Sequence, residues 1–243
     1  MGPVWISHRG FKASAVENTA EAFRAAIKLG FQNLETDLRL SFDGHIVLHH
    51  DPGLSRLAGI WNTIETMTRI QLERVELKGG HRLLFLDQFV KEFPGASWTF
   101  DIKLETGPAT IRGLKSLAET LGVTAWLVAQ SKFVVWDAGH ESLLQDLFPG
   151  AQCYAREREC WRAGLSLIGG MPFLAGIVKG KTYSLPPRLG RIPLYLSRYF
   201  DAIHARGGKV LAFLPEADDD ARLAMRLGVN EILTNGKILD AES

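Results

Sequence analysis

The sequence predicts a (β/α)8 TIM barrel with a small insertion after the second strand region, and three observations carry that expectation. Short runs of β-forming residues alternate with capped, amphipathic stretches from end to end, the order that builds a parallel sheet with helical crossovers. Counting one hairpin once, eight such units fit into 243 residues, close to the ~250 typical of the barrel. The first strand ends in His8-Arg9-Gly10, not in the Gly-rich fingerprint of a doubly wound open sheet, the runner-up architecture. The whole of 1–243 reads as one domain, with 54–84 as an inserted subdomain or lid because it fits the alternation least well.

Val4–His8 is a short apolar run rich in β-formers, and Asn18-x-x-Glu21 reads as a capping box opening a helix. Behind it Ala20, Phe23 and Ile27 follow helical spacing until Gly30 stops the helix. Leu34–Leu40 alternates strictly, and Ile46–His49 follows across an Asp43-Gly44 turn, a hairpin signal. Ser97–Leu104 alternates again, and Ile111, Leu114, Leu117, Ala118 and Leu121 form a helical stripe ended by Gly122. Ala125–Ala129 is expected as a strand, and Asp137 as the cap of a helix carrying Leu143, Leu144 and Leu147. Gln152–Ala155 and Ala175–Lys179 are expected as strands, with Gly180–Pro193, which holds three prolines, as a long loop. Tyr199–Arg206 is helical, Lys209–Leu214 a strand, Asp218–Leu227 a helix and Glu231–Thr234 the last strand.

With 46% hydrophobic and 23% charged residues the composition is ordinary globular, which excludes disordered, collagen-like and coiled-coil classes. The 28 basic and 27 acidic residues leave a net charge of +1, so the bulk field favours neither nucleic acid nor an acidic membrane. Cys153 and Cys160 are too few for a disulfide framework or a zinc cluster and read as reduced thiols of a cytosolic protein. No segment approaches the ~18 uninterrupted apolar residues of a membrane span, and Ser7-His8-Arg9 cuts the N-terminal run short of a secretory signal. Ile6 stands where a myristoylation pattern needs Ser or Thr. The expectation is a cytoplasmic chain without stable membrane insertion.

Charged groups interrupt the strands at informative places. In Leu34-Glu35-Thr36-Asp37-Leu38 the two carboxylates stand at i and i+2 and so share one strand face. Burying them together requires a cation. Arg39, next on the same face, could be that cation, and a metal ion is the alternative. Asp101-x-Lys103 repeats the geometry on the third strand, as a structural ion pair or as part of a site, with Glu105 as a competing acid. His8 closes the first strand and His50-Asp51 the hairpin strand, whereas alternation sends His49 to the opposite face. Either histidine alone is more often structural than catalytic. Together, however, these strand ends converge on the C-terminal mouth of a barrel, where active sites lie. Glu35, Asp37 and Asp101 form an oxygen-rich site for one hard cation, Mg²⁺ or Ca²⁺. Arg9 and Lys103 suit a phosphate, and His8 and His50 suit general acid–base work. The residue chemistry points to metal-assisted phosphoester cleavage.

At these same positions the chain resembles the glycerophosphodiester phosphodiesterases. His8-Arg9-Gly10 and Glu17-Asn18-Thr19 are similar to that family's opening motifs. Glu35-Thr36-Asp37, Asp43-Gly44, His50-Asp51, Asp101-Ile102-Lys103 and the closing Ile232-Leu233-Thr234 follow in the family's order. The resemblance implies a barrel that hydrolyses a small-molecule glycerophosphodiester to glycerol 3-phosphate and an alcohol. It further implies Glu35, Asp37 and Asp101 as metal ligands and His8 and His50 as the acid–base pair. Arg9 and Lys103 would hold the phosphate, and Glu17 would support the site by hydrogen bonding. Val16 replaces the family's usual Pro, Asp101 its usual Glu, Ala212-Phe213 a Trp-Thr pair and Thr234-Asn235 a Thr-Asp pair. Activity on lysophospholipids or cyclic phosphodiesters is the close alternative, and a catalytically weak barrel that binds a phosphorylated ligand the more distant one. Asp101 is the expected third ligand although it is one methylene shorter than Glu; its strand should neighbour that of Glu35 and Asp37.

Overall fold

A computed structural model of the chain describes residues 2–215 and 217–239. Parallel strands alternate with helices in the order of a (β/α)8 barrel. By density of internal packing the chain divides into residues 7–152 and residues 1–6 with 153–243.

Strand β1 (Val4–His8), whose Ser7 and His8 belong to the larger unit, leads to helix α1 (Ala20–Lys28), β2 (Asn33–Leu40) and β3 (Ile46–Leu48). β2 and β3 form the expected antiparallel hairpin, Leu38 opposite Leu48. Helices α2 (Ser55–Ala58) and α3 (Arg69–Glu73), strand β4 (Leu84–Phe85) and helix α4 (Leu86–Glu92) follow. The 54–84 segment packs Leu54, Ile64, Leu72 and Leu77 around Val47 and Phe85, a small apolar cluster of its own. Next come β5 (Ser97–Ile102), α5 (Gly107–Thr120), α6 (Thr124–Gln130), β6 (Ser131–Val134) and α7 (Ala138–Leu147), and then β7 (Gln152–Cys153). β2 and β5 run parallel and in register, Asp37 opposite Asp101, and β5 pairs in parallel with β6. Their outer faces bury Phe23, Phe89, Trp98 and Phe100 in edge-on and tilted ring contacts.

In the smaller unit, α8 (Glu157–Ile168) precedes β8 (Thr182–Leu185), a hairpin of β9 (Arg188–Leu189) and β10 (Ile192–Pro193), α9 (Ser197–His204), β11 (Lys209–Phe213), α10 (Asp218–Arg226) and β12 (Glu231–Thr234). β11 pairs in parallel with β12 and with β8. The core here is Tyr183, Phe200, Ile203, Val210 and Ile232.

Three local expectations are corrected. Ala125–Ala129 lies inside α6, and the strand is the next segment, Ser131–Val134. A five-residue apolar run satisfies helix and strand alike, and here Leu127 alone of α6 is fully buried. Ala175–Lys179 is not a strand: Gly176 and Gly180 take positive φ, +61° and +82°, and break the run, while Thr182–Leu185, placed in a loop, forms β8. Asn18 does not cap α1. Thr19 does, its Oγ1 accepting from the Ala22 amide, and Asn18 turns to the site described next.

Candidate active site

The site is built on the C-terminal ends of β1, β2 and β5. Glu35 and Asp37, two residues apart on β2, point to one side as alternation requires, and the register sets Asp101 of β5 beside Asp37. One carboxylate oxygen from each of Glu35, Asp37 and Asp101 lies within 4.8 Å of the others, and all three residues are buried. Lys103 Nζ stands 2.5 Å from both Asp37 Oδ1 and Asp101 Oδ2, and Arg9 Nε stands 3.0 Å from Asp37 Oδ2. The cations that neutralise β2 are therefore Lys103 and Arg9. Arg39 turns away to Glu65 (3.0 Å), Glu105 (3.6 Å) and the His50 carbonyl (2.9 Å). Glu105, the rival acid, is exposed and belongs to that pairing.

The backbone that delivers Arg9 is itself unusual. Arg9 and Asn18 have φ of +59° and +58°, a region non-glycine residues rarely occupy. Gly10, at +79°, has no alternative, because a Cβ there would stand 2.6 Å from the Ala22 carbonyl carbon. The turn is held by the Arg9 amide, which donates to the Glu35 carbonyl (3.1 Å) and to Glu35 Oε2 (3.1 Å), and by the Asn18 amide donating to the Arg9 carbonyl (2.9 Å). Asn18 Nδ2 donates to Asp37 Oδ2 (2.8 Å) and its Oδ1 accepts from Thr36 Oγ1 (2.8 Å), so the amide fixes the Asp37 carboxylate from behind.

A chain of alternating charge leads outward from this cluster. Asp37 meets Arg9, Arg9 meets Glu17 (3.3 Å), Glu17 meets Arg56 of α2 (2.6 Å), and Arg56 donates to Asp51, whose Oδ1 lies 2.7 Å from His50 Nδ1. On the other side His8 Nε2 is 4.0 Å from Glu35 Oε2, and Lys12 Nζ is 3.4 Å from His8 Nδ1. Trp136 Nε1 donates to Asp101 Oδ1 (2.8 Å). The eight residues singled out from the sequence thus lie in one connected network. Asn18, Lys12, Arg56 and Trp136 were missed. Asn18 alone carried a signal, as part of the Glu17-Asn18-Thr19 motif.

The electrostatics follow from this packing. Burial, with the neighbouring charges of Asp37 and Asp101, holds Glu35 well above the usual carboxylate range. Burial also raises Asp101 against the pull of Lys103. Asp37 goes the other way: burial opposes ionisation, but Lys103, Arg9 and the Asn18 hydrogen bond bring it down to about 2. Burial likewise opposes Asp51, which the hydrogen bonds from Arg56 and His50 hold at about 2. Lys12 is lowered by burial and by the charge of Arg9. Three carboxylates against two cations leave the pocket one positive charge short when all are ionised.

The chain belongs to the glycerophosphoryl diester phosphodiesterase family, whose model matches residues 8–137. It is 25% identical to a probable glycerophosphodiester phosphodiesterase of Mycobacterium tuberculosis, over 96% of this chain and 88% of that one. It is 24% identical to a human lysophospholipase D, over 95% of this chain and 82% of that one. Among solved structures, the glycerophosphoryl diester phosphodiesterase domain of another Mycobacterium tuberculosis protein superposes with a TM-score of 0.81 at 16% identity, covering 97% of each chain, a likeness of fold.

Proposed function

We propose that the chain hydrolyses glycerophosphodiesters to glycerol 3-phosphate and an alcohol, with Glu35, Asp37 and Asp101 holding one divalent cation and His8 and His50 moving protons. The observation that carries the reading is the buried carboxylate triad. Its oxygens, within 4.8 Å of one another, fit a single hard cation, since two ligands at ~2.0–2.6 Å on opposite sides of an ion stand ~4–5 Å apart. A double positive charge would turn the pocket from net negative to net positive, matching a phosphodiester monoanion. When bound, the cation supplies Lewis-acid polarisation of the phosphate oxygens.

The chain's own groups supply the rest. Arg9 and Lys103 present N–H donors to the phosphate. The Asp51 carboxylate accepts from His50 Nδ1–H, which leaves Nε2 as the proton-accepting nitrogen and makes His50 the base. An ammonium only donates, so Lys12 makes His8 Nδ1 an acceptor and leaves the proton on Nε2, suited to the departing alcohol oxygen. His50 takes a proton from the attacking water as its oxygen bonds to phosphorus. His8 protonates the alkoxide as the phosphorus–oxygen bond to it breaks. Glu17 clamps Arg9 against Arg56. A second reading, lysophospholipid as the diester, has the human relative's name in its favour.

Turnover of glycerophosphocholine, a lysophospholipid and a cyclic glycerophosphate at fixed Mg²⁺ or Ca²⁺ separates these substrates. His8→Ala and His50→Ala should each lower turnover on the preferred one by ~10²-fold or more; near-wild-type rates in both variants would end the two-histidine scheme.

A further inference from the structure

The balanced net charge of the chain conceals a segregation. From Cys160 to Phe200 there is no acidic residue, while Arg162, Lys179, Lys181, Arg188, Arg191 and Arg198 give six basic ones. With 28 basic and 27 acidic residues in all, the remaining 202 positions carry net −5. The same stretch, a sixth of the chain, supplies seven of the fifteen large apolar side chains that stand exposed among the described residues.

Five of these form one feature. Trp161 and Leu165, one turn apart on α8, are 46% and 58% exposed, and the helix continues into a tight turn at Pro172–Leu174 that packs against it. In that turn Phe173 is 74% exposed, Leu174 51% and Met171 44%. The turn is pinned from below: Ala175 is fully buried in the core of this unit, with Ile168 and Ile177 packed on the same core. The Met171 amide donates to the Ser166 carbonyl (2.8 Å) and the Leu174 amide to the Met171 carbonyl (3.0 Å). Phe173 and Leu174 are therefore held outward by the buried Ala175 after them and by the turn's backbone hydrogen bonds. Arg162 lies across the turn, its guanidinium donating to the Gly176 carbonyl (3.1 Å), and exposed Lys179 follows two residues after Ile177. The acids nearest in sequence stand before the run. Glu159 is neutralised by Arg156 and Lys181, and Glu157 accepts from Trp161 Nε1 (3.3 Å).

We propose that this face, the α8 stripe and the Met171–Leu174 turn, docks on an anionic lipid surface. A protruding aromatic–aliphatic tip flanked by Arg162 and Lys179, with Glu157 as the acid beside it at the start of the α8 stripe, is a combination that inserts to the acyl boundary while its cations meet anionic headgroups. No helix among the described residues is long and apolar enough to cross a membrane, so the contact is peripheral. The charge segregation selects this occupant over a second copy of the chain, because a face flanked by Arg162 and Lys179 would set like charges against each other in a pair of copies. The inference is independent of the catalytic reading, and its test reads binding and not turnover.

The experiment is sedimentation of the intact chain with vesicles of phosphatidylcholine alone and of phosphatidylcholine with 30% phosphatidylglycerol, in about 0.1 M and 0.5 M salt. Binding is expected to the anionic vesicles, weakened at least roughly tenfold by the high salt or by omission of the anionic lipid. The double substitution Phe173→Ser with Leu174→Ser should weaken it by a similar factor, while Trp61→Ser, at a 91% exposed site outside the run, leaves it unchanged. Unaltered circular dichroism and an unchanged thermal unfolding midpoint would show the double variant folded. Absence of vesicle binding, binding that the double substitution leaves intact, or a wild-type dimer in light scattering that the double substitution dissolves would each overturn the assignment.

Discussion

Substituting Asn18 probes the joint between backbone and site. Its side chain is 1% exposed and satisfies two buried groups, the Asp37 carboxylate and the Thr36 hydroxyl. Asn18→Ala strands the Thr36 hydroxyl, at ~1–3 kcal/mol for a buried group left unpaired, and takes one donor from Asp37 Oδ2, which keeps Arg9, at ~1 kcal/mol. It also forces an alanine to φ +58°, which costs a further ~1–2 kcal/mol that asparagine largely avoids. The expected loss is about 4 kcal/mol, a large share of the ~5–15 kcal/mol that holds a typical domain folded. Asn18→Gly loses the same two hydrogen bonds but tolerates the backbone. Allowing ~0.4–1 kcal/mol for the greater freedom of glycine in the unfolded chain, it should be more stable than the alanine variant by roughly 0.5–1 kcal/mol. Urea unfolding read by midpoint at constant slope measures both, and turnover should fall in both because Asp37 is no longer fixed. An alanine variant within ~0.5 kcal/mol of wild type, or a glycine variant less stable than the alanine one, would refute the reasoning.

Two further outcomes follow from named contacts. Glu159 lies between Arg156 and Lys181; burial opposes its ionisation, but their hydrogen bonds and charges bring it to about 2. Its folded value lies below its unfolded one, so its contribution is complete above about pH 4.5 and is lost as pH falls towards 2. Discounted for solvent screening, Glu159→Gln should cost about 1 kcal/mol at pH 7 and almost nothing at pH 2.5; an equal cost at both pH values in denaturant titrations would contradict this. Trp136→Phe removes the indole donor to Asp101 and should weaken divalent-cation affinity by about tenfold, and an unchanged calorimetric affinity would show that Asp101 needs no such support.

How much of this was legible in the sequence depended on the range of the interaction. Alternation along β2 placed Glu35 and Asp37 together, and the same period placed Asp101 with Lys103, because both facts are local to a strand. Partner choice was not local. Arg39 shares the parity of Glu35 and Asp37 but sits near the end of β2, where its long side chain reaches Glu65 and Glu105 instead. Asn18 was read as a helix cap because its pattern fits one; its actual partner, Asp37, is 19 residues away. Arg56 comes from the 54–84 segment, whose pattern fits no barrel element, and nothing in its neighbours pointed to Glu17. The two misplaced strands share a simpler cause. Each true strand, Ser131–Val134 and Thr182–Leu185, is four residues long and less continuously apolar than the helix or turn before it. Bulk charge likewise hid the acid-free run, since a mean over 243 residues cancels it.

The central claim, that the buried carboxylates hold a divalent cation the reaction requires, is tested most directly by titrating Mg²⁺ and Ca²⁺ into the metal-stripped chain by calorimetry, alongside Asp37→Asn and Asp101→Asn, with turnover measured on the same samples. The account predicts a single site in the wild type. In both variants that site should be lost together with activity, and chelation should silence the wild type reversibly. Turnover that survives chelation, or cation binding that persists undiminished in both variants, would contradict it.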